Sequence, residues 1–256
     1  MTEAIIRRAG EMIRSHTASH IYGKSGQANF ATDMDLEIQR YLFGELKRLY
    51  GDCGFYGEED TEGNDHDLSG RCFIIDPIDG TTNYMFGYNA SCVSVGMSVN
   101  GVMAEGYVYD PYTDEFFRAE KGKGAWLNGR RLVMRDRGIE DGLVAFGCAH
   151  YNGGDDWLDA MFRIIKEIYL KSMAVRSGGS AAIDLCRVAR GANVGYIEMM
   201  LQPYDYAAAA IIIEEAGGEI RQVDGRPITL DRPCSILAGT RTGADQIRAI
   251  ALRELA

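Results

Sequence analysis

The residues best suited to chemistry in this chain lie together at residues 76–84, which read Asp-Pro-Ile-Asp-Gly-Thr-Thr-Asn-Tyr. An apolar run at residues 72–75 comes directly before them and is typical of a buried strand. Carboxylates are rarely buried unless they are paired or bind a metal ion. The carboxylates of Asp76 and Asp79 and the carbonyl of Ile78 are hard oxygen ligands, which suit Mg²⁺, Mn²⁺ or Ca²⁺ better than zinc.

The residues after the aspartates are suited to binding a phosphate group. We expect Gly80 and Thr81 to begin a helix, where backbone N–H groups point towards an anion. An isolated pair of aspartates three residues apart is explained more simply as an acidic turn that caps a helix. The complete stretch after an apolar strand favours a combined metal and phosphate site over that explanation.

Other carboxylates have ordinary structural explanations when each is taken alone. Asp33 or Asp35 suits the N-cap or first turn of a helix over about residues 33–50. Glu58 suits a solvated acidic turn, and Asp205 suits the first turn of a long apolar helix. The four histidines show no spacing typical of metal ligands, and no Ser-His-Asp pattern competes.

Residues 76–83 resemble the signature of the inositol monophosphatase family, whose members are Mg²⁺-dependent, lithium-sensitive phosphatases of small phosphate monoesters. Further segments are similar to the family's other motifs, and they extend the likeness over nearly the whole chain. They are residues 29–35, Gly-Glu-Glu at 57–59, the Gly-rich segment 122–129, Arg-x-x-Gly-Ser-Ala-Ala at 176–182, Glu198, and Asp205 with the helix that leads to Glu-Ala-Gly-Gly at 215–218.

A few positions depart from the family's pattern. Asn29 replaces an aspartate and Ala31 replaces a valine. Ser180 replaces a threonine and keeps the hydroxyl group. Tyr204 replaces a tryptophan, which we expect to reshape the pocket wall while leaving the neighbouring Asp205 in place.

The resemblance assigns roles to residues of this chain. Its catalytic residues are Asp35, Glu58 and Thr81. Its ligands for two or three Mg²⁺ ions, which Mn²⁺ could replace, are Glu58, Asp76, the carbonyl of Ile78, Asp79 and Asp205. Its substrate contacts are Asp79, Gly80, Thr81, Ser180, Ala181, Glu198 and Asp205.

The resemblance also implies hydrolysis by a metal-activated water, without a covalent nucleophile. The water lies on the first ion beside Glu58 and Thr81, Asp35 orients Thr81, and the second ion stabilises the leaving oxygen. We expect the substrate to be a small polyol phosphate, with inositol monophosphate first. Glu198 matches a position that contacts substrate hydroxyls, and Thr82 replaces the lysine of related nucleotide phosphatases.

Other substrates and another class of function stay open. Fructose 1,6-bisphosphate and histidinol phosphate are the alternative substrates. Lys24 or Arg176 would meet a second phosphate, although each is also explained as a structural or solvent-facing cation. A regulatory or binding protein on the same fold is the alternative of another class. The intact set of expected metal ligands favours the enzyme.

Composition limits the class of partner and the compartment. The chain has 256 residues, 46% of them apolar, a net charge of −10 and a pI of about 5.0. The apolar fraction suffices for a large core, and the acidic balance disfavours binding to nucleic acid or anionic membranes. Six scattered cysteines without a Cys-x-x-Cys pattern, and no signal peptide or long apolar span, predict a cytoplasmic protein. Dimers are common in the family, so we expect a homodimer.

The pattern of helices and strands predicts how these residues are positioned. Alternating elements indicate a layered α/β fold, and the resemblance implies an αβαβα sandwich of the inositol monophosphatase/fructose-1,6-bisphosphatase type. We expect a single domain over 1–256, with an N-terminal part of about 1–140 and a C-terminal part of about 141–256. The predicted helices cover about 2–16, 33–50, 155–171, 181–190, 204–216 and 245–254. The predicted strands cover about 54–57, 72–75, 91–99, 102–109, 115–119, 143–149, 173–176, 193–199 and 235–239, with a hairpin turn at 100–101 and polar or Gly-rich turns at 24–29, 122–129 and 151–154.

Overall fold

The computed structural model describes residues 1–15, 21–23, 30–148 and 155–255 of the chain. The predicted turns at 24–29 and 151–154, and with them Lys24 and Asn29, lie outside the described residues. The helices are α1 (Thr2–Ser15), α2 (Asp33–Tyr50), α3 (Thr81–Met85), α4 (Asp155–Lys171), α5 (Ala181–Ala189), α6 (Pro203–Glu215) and α7 (Arg241–Glu254). The strands are β1 (Ile21–Gly23), β2 (Phe30–Thr32), β3 (Gly54–Gly57), β4 (Arg71–Asp79), β5 (Cys92–Val99), β6 (Val102–Asp110), β7 (Glu115–Glu120), β8 (Gly124–Leu127), β9 (Arg130–Leu132), β10 (Leu143–Phe146), β11 (Ala174–Arg176), β12 (Asn193–Leu201), β13 (Glu219–Arg221) and β14 (Cys234–Gly239).

The larger sheet has seven strands in the order β3-β4-β5-β6-β7-β8-β9. Its neighbours run antiparallel, except that β3 and β4 run parallel. The turn between β5 and β6 is the predicted hairpin turn, with φ of 52° at Asn100 and 75° at Gly101. Helices α1 and α2 pack on one face of this sheet, which we call its outer face, and share an apolar core with it. That core includes Ile6, Ile13, Ile38, Leu42, Phe73, Ile75, Val93 and Val95.

The smaller sheet has five strands in the order β11-β10-β12-β14-β13. Strand β10 runs parallel to β11 and β12, whereas β14 runs antiparallel to β12 and β13. Helices α4 and α7 cover the face that points away from the larger sheet, through apolar residues such as Ile164, Ile168 and Ile247. Strands β1 and β2 pair with each other in a separate antiparallel ribbon.

Helices α5 and α6 lie between the two sheets. They share a core with residues from both, among them Val108 and Phe117 of the larger sheet and Tyr196 of the smaller one. Glycine permits the close approach, because a Cβ at Gly106 would lie 2.4 Å from the carbonyl oxygen of Ala208 on α6. The layers therefore follow the order helix, sheet, helix, sheet, helix, which confirms the predicted αβαβα sandwich.

Helix α6 is apolar on every side because it is enclosed by both sheets. It has 13 residues, whereas a helix that spans a bilayer needs about 20. In the described part of the chain, no helix is both long and apolar enough to cross a membrane.

The structure differs from the sequence prediction mainly at short strands. The prediction of a turn over 122–129 is wrong in part, since Gly124–Leu127 forms β8. Strands β9 and β13 have three residues each and are too short to show an alternating pattern. Helix α7 begins at Arg241, four residues before its predicted start, because the Thr240 side chain caps it.

Candidate active site

A cavity of about 340 Å³ opens between the ends of β4 and β12 and the first turns of α3, α5 and α6. Most residues singled out by the sequence line it. These are Glu58, Asp76, Ile78, Asp79, Gly80, Thr81, Ser180, Ala181, Glu198 and Asp205. Among the described residues of its wall, six are acidic and none is a lysine or an arginine. The cavity therefore concentrates negative charge that its own walls do not balance.

Three carboxylates converge at the floor of the cavity. Oxygen atoms of Asp76, Asp79 and Asp205 all lie within 4.8 Å of one another. Asp76 and Asp79 are buried at the end of β4, and Asp205 lies in the first turn of α6. Glu58 directly follows β3, and its amide donates to the carbonyl of Ile75 at 3.0 Å, which continues the parallel pairing with β4.

Burial and mutual repulsion disfavour the charged forms of these carboxylates. The pKa of Asp76 lies well above its ordinary value because of burial first, and then because of the charges of Glu58 and Asp79. Burial also raises the pKa of Asp205 well above its ordinary value. Burial raises the pKa of Asp79 to about 6, although hydrogen bonds from Ser180 and two backbone amides act in the opposite direction. The cluster therefore needs a positive charge from outside the chain to stay ionised at neutral pH.

The donor set of the cluster fits a hard divalent cation. All the converging atoms are carboxylate oxygens, with the carbonyl of Ile78 beside them in the cavity wall. Oxygen-only sites of this kind suit Mg²⁺, Mn²⁺ or Ca²⁺, whereas zinc prefers nitrogen and sulfur ligands. A bound cation would also supply the charge that the cavity wall lacks.

A threonine hydroxyl links the cavity to a buried aspartate. The Thr81 hydroxyl lies 3.2 Å from Oδ1 of Asp35 and 3.1 Å from the carbonyl oxygen of Ile78. Asp35 is fully buried, and its other oxygen accepts from the Thr32 amide at 2.7 Å within the capping box that begins α2. Asp35 thus has the structural role considered from the sequence and also contacts Thr81. It does not line the cavity, and it contacts the cavity wall at Thr81.

Asp79 connects the larger sheet to helix α5. Its Oδ2 accepts hydrogen bonds from the Ser180 hydroxyl and from the Ala182 amide at 2.8 Å, and its Oδ1 lies 3.3 Å from the Ala181 amide. A carboxylate from β4 therefore satisfies the first amides of α5, where the helix dipole favours negative charge. This contact fixes α5 against the cavity.

The turn from β4 into α3 requires glycine. Gly80 has φ of +90°, and a Cβ there would lie 3.0 Å from the carbonyl oxygen of Ala90 and 3.1 Å from that of Gly179. Both the backbone conformation and the space exclude a larger residue without movement of the neighbours. Gly80 and Thr81 consequently enter α3 with the backbone pressed against the loop before α5.

Comparison with known proteins identifies the family. A sequence model of the inositol monophosphatase family matches residues 1–255. The chain belongs to the inositol monophosphatase family. It is therefore a phosphatase, and the metal dependence of its family agrees with the acidic cluster at Asp76, Asp79 and Asp205.

Similar proteins carry two kinds of name. The chain is 32% identical to the inositol-1-monophosphatase of Bacillus subtilis, over 91% of this chain and 88% of the relative. It is 30% identical to the putative Nus factor SuhB of Neisseria meningitidis, over 97% and 92% respectively. Among solved structures, the extragenic suppressor protein suhB of Bartonella henselae superposes with a TM-score of 0.89 at 29% identity, and the match covers 98% and 96% of the two chains.

In this inositol monophosphatase family member, Glu198 is held in the cavity wall by its neighbours. It is buried near the end of β12, and one carboxylate oxygen accepts from the hydroxyl of Tyr196. A Cβ at Gly147 would overlap the same oxygen, so a larger residue there would displace the carboxylate. Tyr196 and Gly147 therefore leave the carboxylate little freedom to rotate.

Two residues considered from the sequence lie away from the cavity. Arg176 is exposed, donates to the neighbouring carbonyl of Val175 at 2.8 Å and does not line the cavity. Tyr204 packs edge-on against Tyr56, with ring centroids 6.3 Å apart, and does not line the cavity either. The replacement of tryptophan at position 204 is thus accommodated beside the cavity.

Sequence reasoning missed residues that position the predicted site. The Asn83 side-chain amide donates to the carbonyls of Ala90 at 2.7 Å and Gly178 at 2.8 Å, so it ties α3 to the loop before α5. Gln39 exchanges two hydrogen bonds with the backbone of Glu59, next to Glu58. The position of Asn83 within the signature could have revealed its role, whereas Gln39 lies on a helix and gives no local signal.

Proposed function

We propose that this phosphatase hydrolyses a phosphate monoester of a small polyol, with inositol monophosphate as its foremost substrate, and that it requires Mg²⁺. The observation that carries the proposal is one cavity that combines the converging carboxylates Asp76, Asp79 and Asp205 with the Thr81–Asp35 pair. The first group suits cations that bind phosphate, and the second suits the positioning of a water molecule.

The cations would be held by the residues that the family resemblance assigns. Glu58, Asp76 and the carbonyl of Ile78 would hold one ion, and Asp76, Asp79 and Asp205 a second, with two or three Mg²⁺ ions in all and Mn²⁺ as a substitute. When bound, such ions shield the phosphoryl oxygens, lower the pKa of water and stabilise the leaving oxygen.

The remaining work belongs to residues of the chain. The Thr81 hydroxyl can donate its one proton to Asp35 or to the carbonyl of Ile78, so its oxygen is left to accept a hydrogen bond from a water molecule. As the water attacks phosphorus, its proton would pass to the Thr81 oxygen while the Thr81 proton passes to Oδ1 of Asp35, with Glu58 beside the water. The backbone amides of Gly80 and Thr81 would donate to the phosphate oxygens.

Substrate choice would depend on the other part of the wall. Glu198 would accept hydrogen bonds from polyol hydroxyls, and Ser180 and the Ala181 amide would contact the substrate beside Asp79. The name of the Bacillus subtilis relative supports an inositol ester. Fructose 1,6-bisphosphate and histidinol phosphate are the alternatives, and the position of Arg176 outside the cavity does not support a contact to a second phosphate.

A binding role on the same fold is the second candidate function. The name of the Neisseria relative, a putative Nus factor, is the observation that favours it. The complete carboxylate cluster favours catalysis, since a protein used only for binding has no need of it. We also propose that the phosphatase is cytoplasmic and forms a homodimer.

Phosphate release from a panel of esters tests the proposal. The panel contains inositol 1-phosphate, fructose 1,6-bisphosphate, histidinol phosphate and adenosine 3′,5′-bisphosphate, each with and without Mg²⁺ and with added Li⁺. We expect Mg²⁺-dependent, Li⁺-inhibited release, fastest from the inositol ester. Faster release from another ester would make that ester the substrate in place of inositol monophosphate. No release from any ester by folded protein that binds Mg²⁺ would reject the mechanism proposed for Thr81.

A further inference from the structure

The outer face of the larger sheet is only partly covered. Helices α1 and α2 pack on β4, β5, β6 and the start of β7 at Phe116, and no described helix covers the rest of β7, β8 or β9 on this side. A row of side chains crosses this open part, because Tyr107, Arg118, Trp126 and Arg131 are successive partners on β6, β7, β8 and β9. Arg118 lies on the same side of β7 as Phe116, which belongs to the core beneath α1 and α2.

The two arginines in this row have no acidic partner within the described residues. Arg118 and Arg131 are exposed, and their guanidinium carbons lie 5.9 Å and 6.0 Å from the ring centre of Trp126. Some other exposed arginines of this acidic chain, such as Arg8 and Arg226, are paired with carboxylates. Two unpaired cations held beside an aromatic ring are suited to carboxylates from outside the chain.

A small cavity of about 230 Å³ lies in the same row. It is lined by Tyr107, Arg118, Ala119, Glu120, Lys123 and Trp126. Pockets for drug-sized ligands usually measure about 300–1,000 Å³, so this one is better matched to a single inserted side chain. A nucleic-acid backbone carries a charge at every nucleotide and would meet Glu120 at the rim, which pairs with Lys123 at 2.5 Å, whereas a helix can place two carboxylates at the arginines alone.

We propose that this open face docks an acidic amphipathic helix of a partner protein, which extends the layer formed by α1 and α2. Neighbouring strands lie about 4.8 Å apart, so the backbones that carry Arg118 and Arg131 are about 10 Å apart. Residues i and i+7 of a helix are also about 10 Å apart on one side. Two acidic residues at that spacing reach both arginines, and an apolar residue between them packs on Trp126.

The residue types of this face agree with an interface between proteins. Tyrosine, tryptophan and arginine are the residues most enriched among those that contribute most to binding. Gly124 supports the arrangement, because its φ of +95° and missing side chain leave space for the Arg131 guanidinium, 3.2 Å from where a Cβ would lie. The inference is independent of the proposed substrate and of the metal site.

A charge exchange tests the proposal with a designed probe. The probe is a fluorescent, covalently stapled helix with Glu at i and i+7 and Leu at i+3 and i+4, and its control carries Lys in place of both Glu. We expect the wild-type chain to prefer the Glu peptide in fluorescence anisotropy. R118E/R131E should weaken that binding by about tenfold or more and should prefer the Lys peptide.

R40E is the matched control variant, because Arg40 is exposed on α2 and has no ion pair with a described residue. It should keep the wild-type preference, and all variants should keep the wild-type melting temperature and phosphatase activity. Equal binding of the two peptides by the wild type, or the same loss in R40E, would overturn the proposal. Tighter binding of a single-stranded oligoribonucleotide than of the Glu peptide would assign the face to nucleic acid and also overturn it.

Discussion

The carboxylate of Asp76 is disfavoured in the metal-free protein by burial and by its acidic neighbours. Asp76→Asn removes this charge, while the amide oxygen can still accept from the Ile78 amide, now 3.0 Å from Oδ1. We expect turnover to fall by at least about 100-fold and the metal-free melting temperature to stay equal or rise. Scanning fluorimetry with and without Mg²⁺ measures the melting temperature. Mg²⁺ should raise it less in Asp76→Asn than in the wild type.

The control for this variant is Asp224→Asn. Asp224 is exposed, is paired with Arg226 and does not line the cavity, so wild-type turnover and Mg²⁺ stabilisation are expected. If Asp76→Asn keeps most of its turnover, Asp76 is not a required metal ligand.

The hydroxyl of Tyr196 donates to Glu198 and orients it. Removal of this hydroxyl should therefore change substrate binding and leave the rate of the chemical step nearly unchanged. In Tyr196→Phe we expect KM for a polyol phosphate to rise by about tenfold, because a hydrogen bond to a charged group is worth about 1.5 kcal/mol. The value of kcat should change little. Tyr109→Phe is the matched control, since the Tyr109 hydroxyl contacts Asp114 outside the cavity.

Steady-state kinetics on inositol 1-phosphate and on p-nitrophenyl phosphate, which has no hydroxyl for Glu198, completes this experiment. Only the polyol substrate should respond to Tyr196→Phe. An equal rise in KM for both substrates would show that Tyr196 supports the whole cavity and not Glu198 in particular.

At the residue scale, motif spacing was sufficient to name the residues that meet in the cavity, although their roles stay predictions. It could not reveal Tyr196, which lies on the same side of β12 as Glu198 but in a run of buried residues that the pattern explains as core. Buried polar partners of this kind are visible only once distant residues such as Gly147 are placed beside them.

The turn between β4 and α3 depends on Gly80, and a pair of alanine substitutions separates strain from crowding. Gly80→Ala and Gly51→Ala both place alanine at positive φ, +90° and +73°, and in the left-handed helical region of Gly80 this costs about 1–2 kcal/mol. Only Gly80→Ala also crowds neighbours, whereas nothing lies within 4 Å at Gly51. We expect a loss of stability in both variants, and a loss of activity in Gly80→Ala alone.

Denaturant titration and phosphate release measure the two effects. Gly51→Ala is the control because it follows α2 and lies outside the cavity wall. Full activity of Gly80→Ala would mean that the loop before α5 moves aside without consequence, which contradicts a fixed phosphate-binding turn.

At the element scale, the sequence predicted helices with clear caps better than short strands. Helix α2 was predicted with both ends correct, since Thr32 caps its start and Gly51 follows its last residue. The strand Gly124–Leu127 was missed because its glycine accommodates a side chain from β9. That contact belongs to the sheet and has no counterpart in the local sequence.

The stability of the whole molecule should depend on pH in the absence of metal. Asp79 has a folded-state pKa of about 6, above its ordinary value of about 4, and those of Asp76 and Asp205 are raised as well. Between the ordinary pKa of each carboxyl group and its raised pKa in the folded state, the folded protein binds more protons than the unfolded one. The free energy of unfolding therefore falls as pH rises. We expect the melting temperature of EDTA-treated protein to fall by several degrees from about pH 5 to about pH 7.5.

Saturating Mg²⁺ should flatten or reverse this trend, because the ions stabilise the ionised carboxylates. The exposed Asp67 and Asp136 have lowered pKa values and act in the opposite direction, but only at lower pH. A metal-free melting temperature that rises over the measured range would show that the cluster does not dominate the response.

At the scale of the molecule, alternation of elements predicted a layered fold, but the order of strands could not be read from it. Strand β10 pairs in parallel with β11 after a crossover through α4, whereas β3 and β4 pair in parallel across a loop that contains no helix. Division of a single domain near residue 140 stays a prediction.

The contact of Asp79 with the start of α5 limits how the sequence can evolve at these positions. One carboxylate serves the cavity and also satisfies the amides of a helix from the other half of the chain. A substitution at Asp79 or Ser180 is therefore exposed to selection twice, once through turnover and once through assembly of the fold. Substitutions at positions 79 and 180 should therefore occur only together. A chimera that takes one half of the chain from a relative must have residues at these two positions that can still hydrogen-bond to each other.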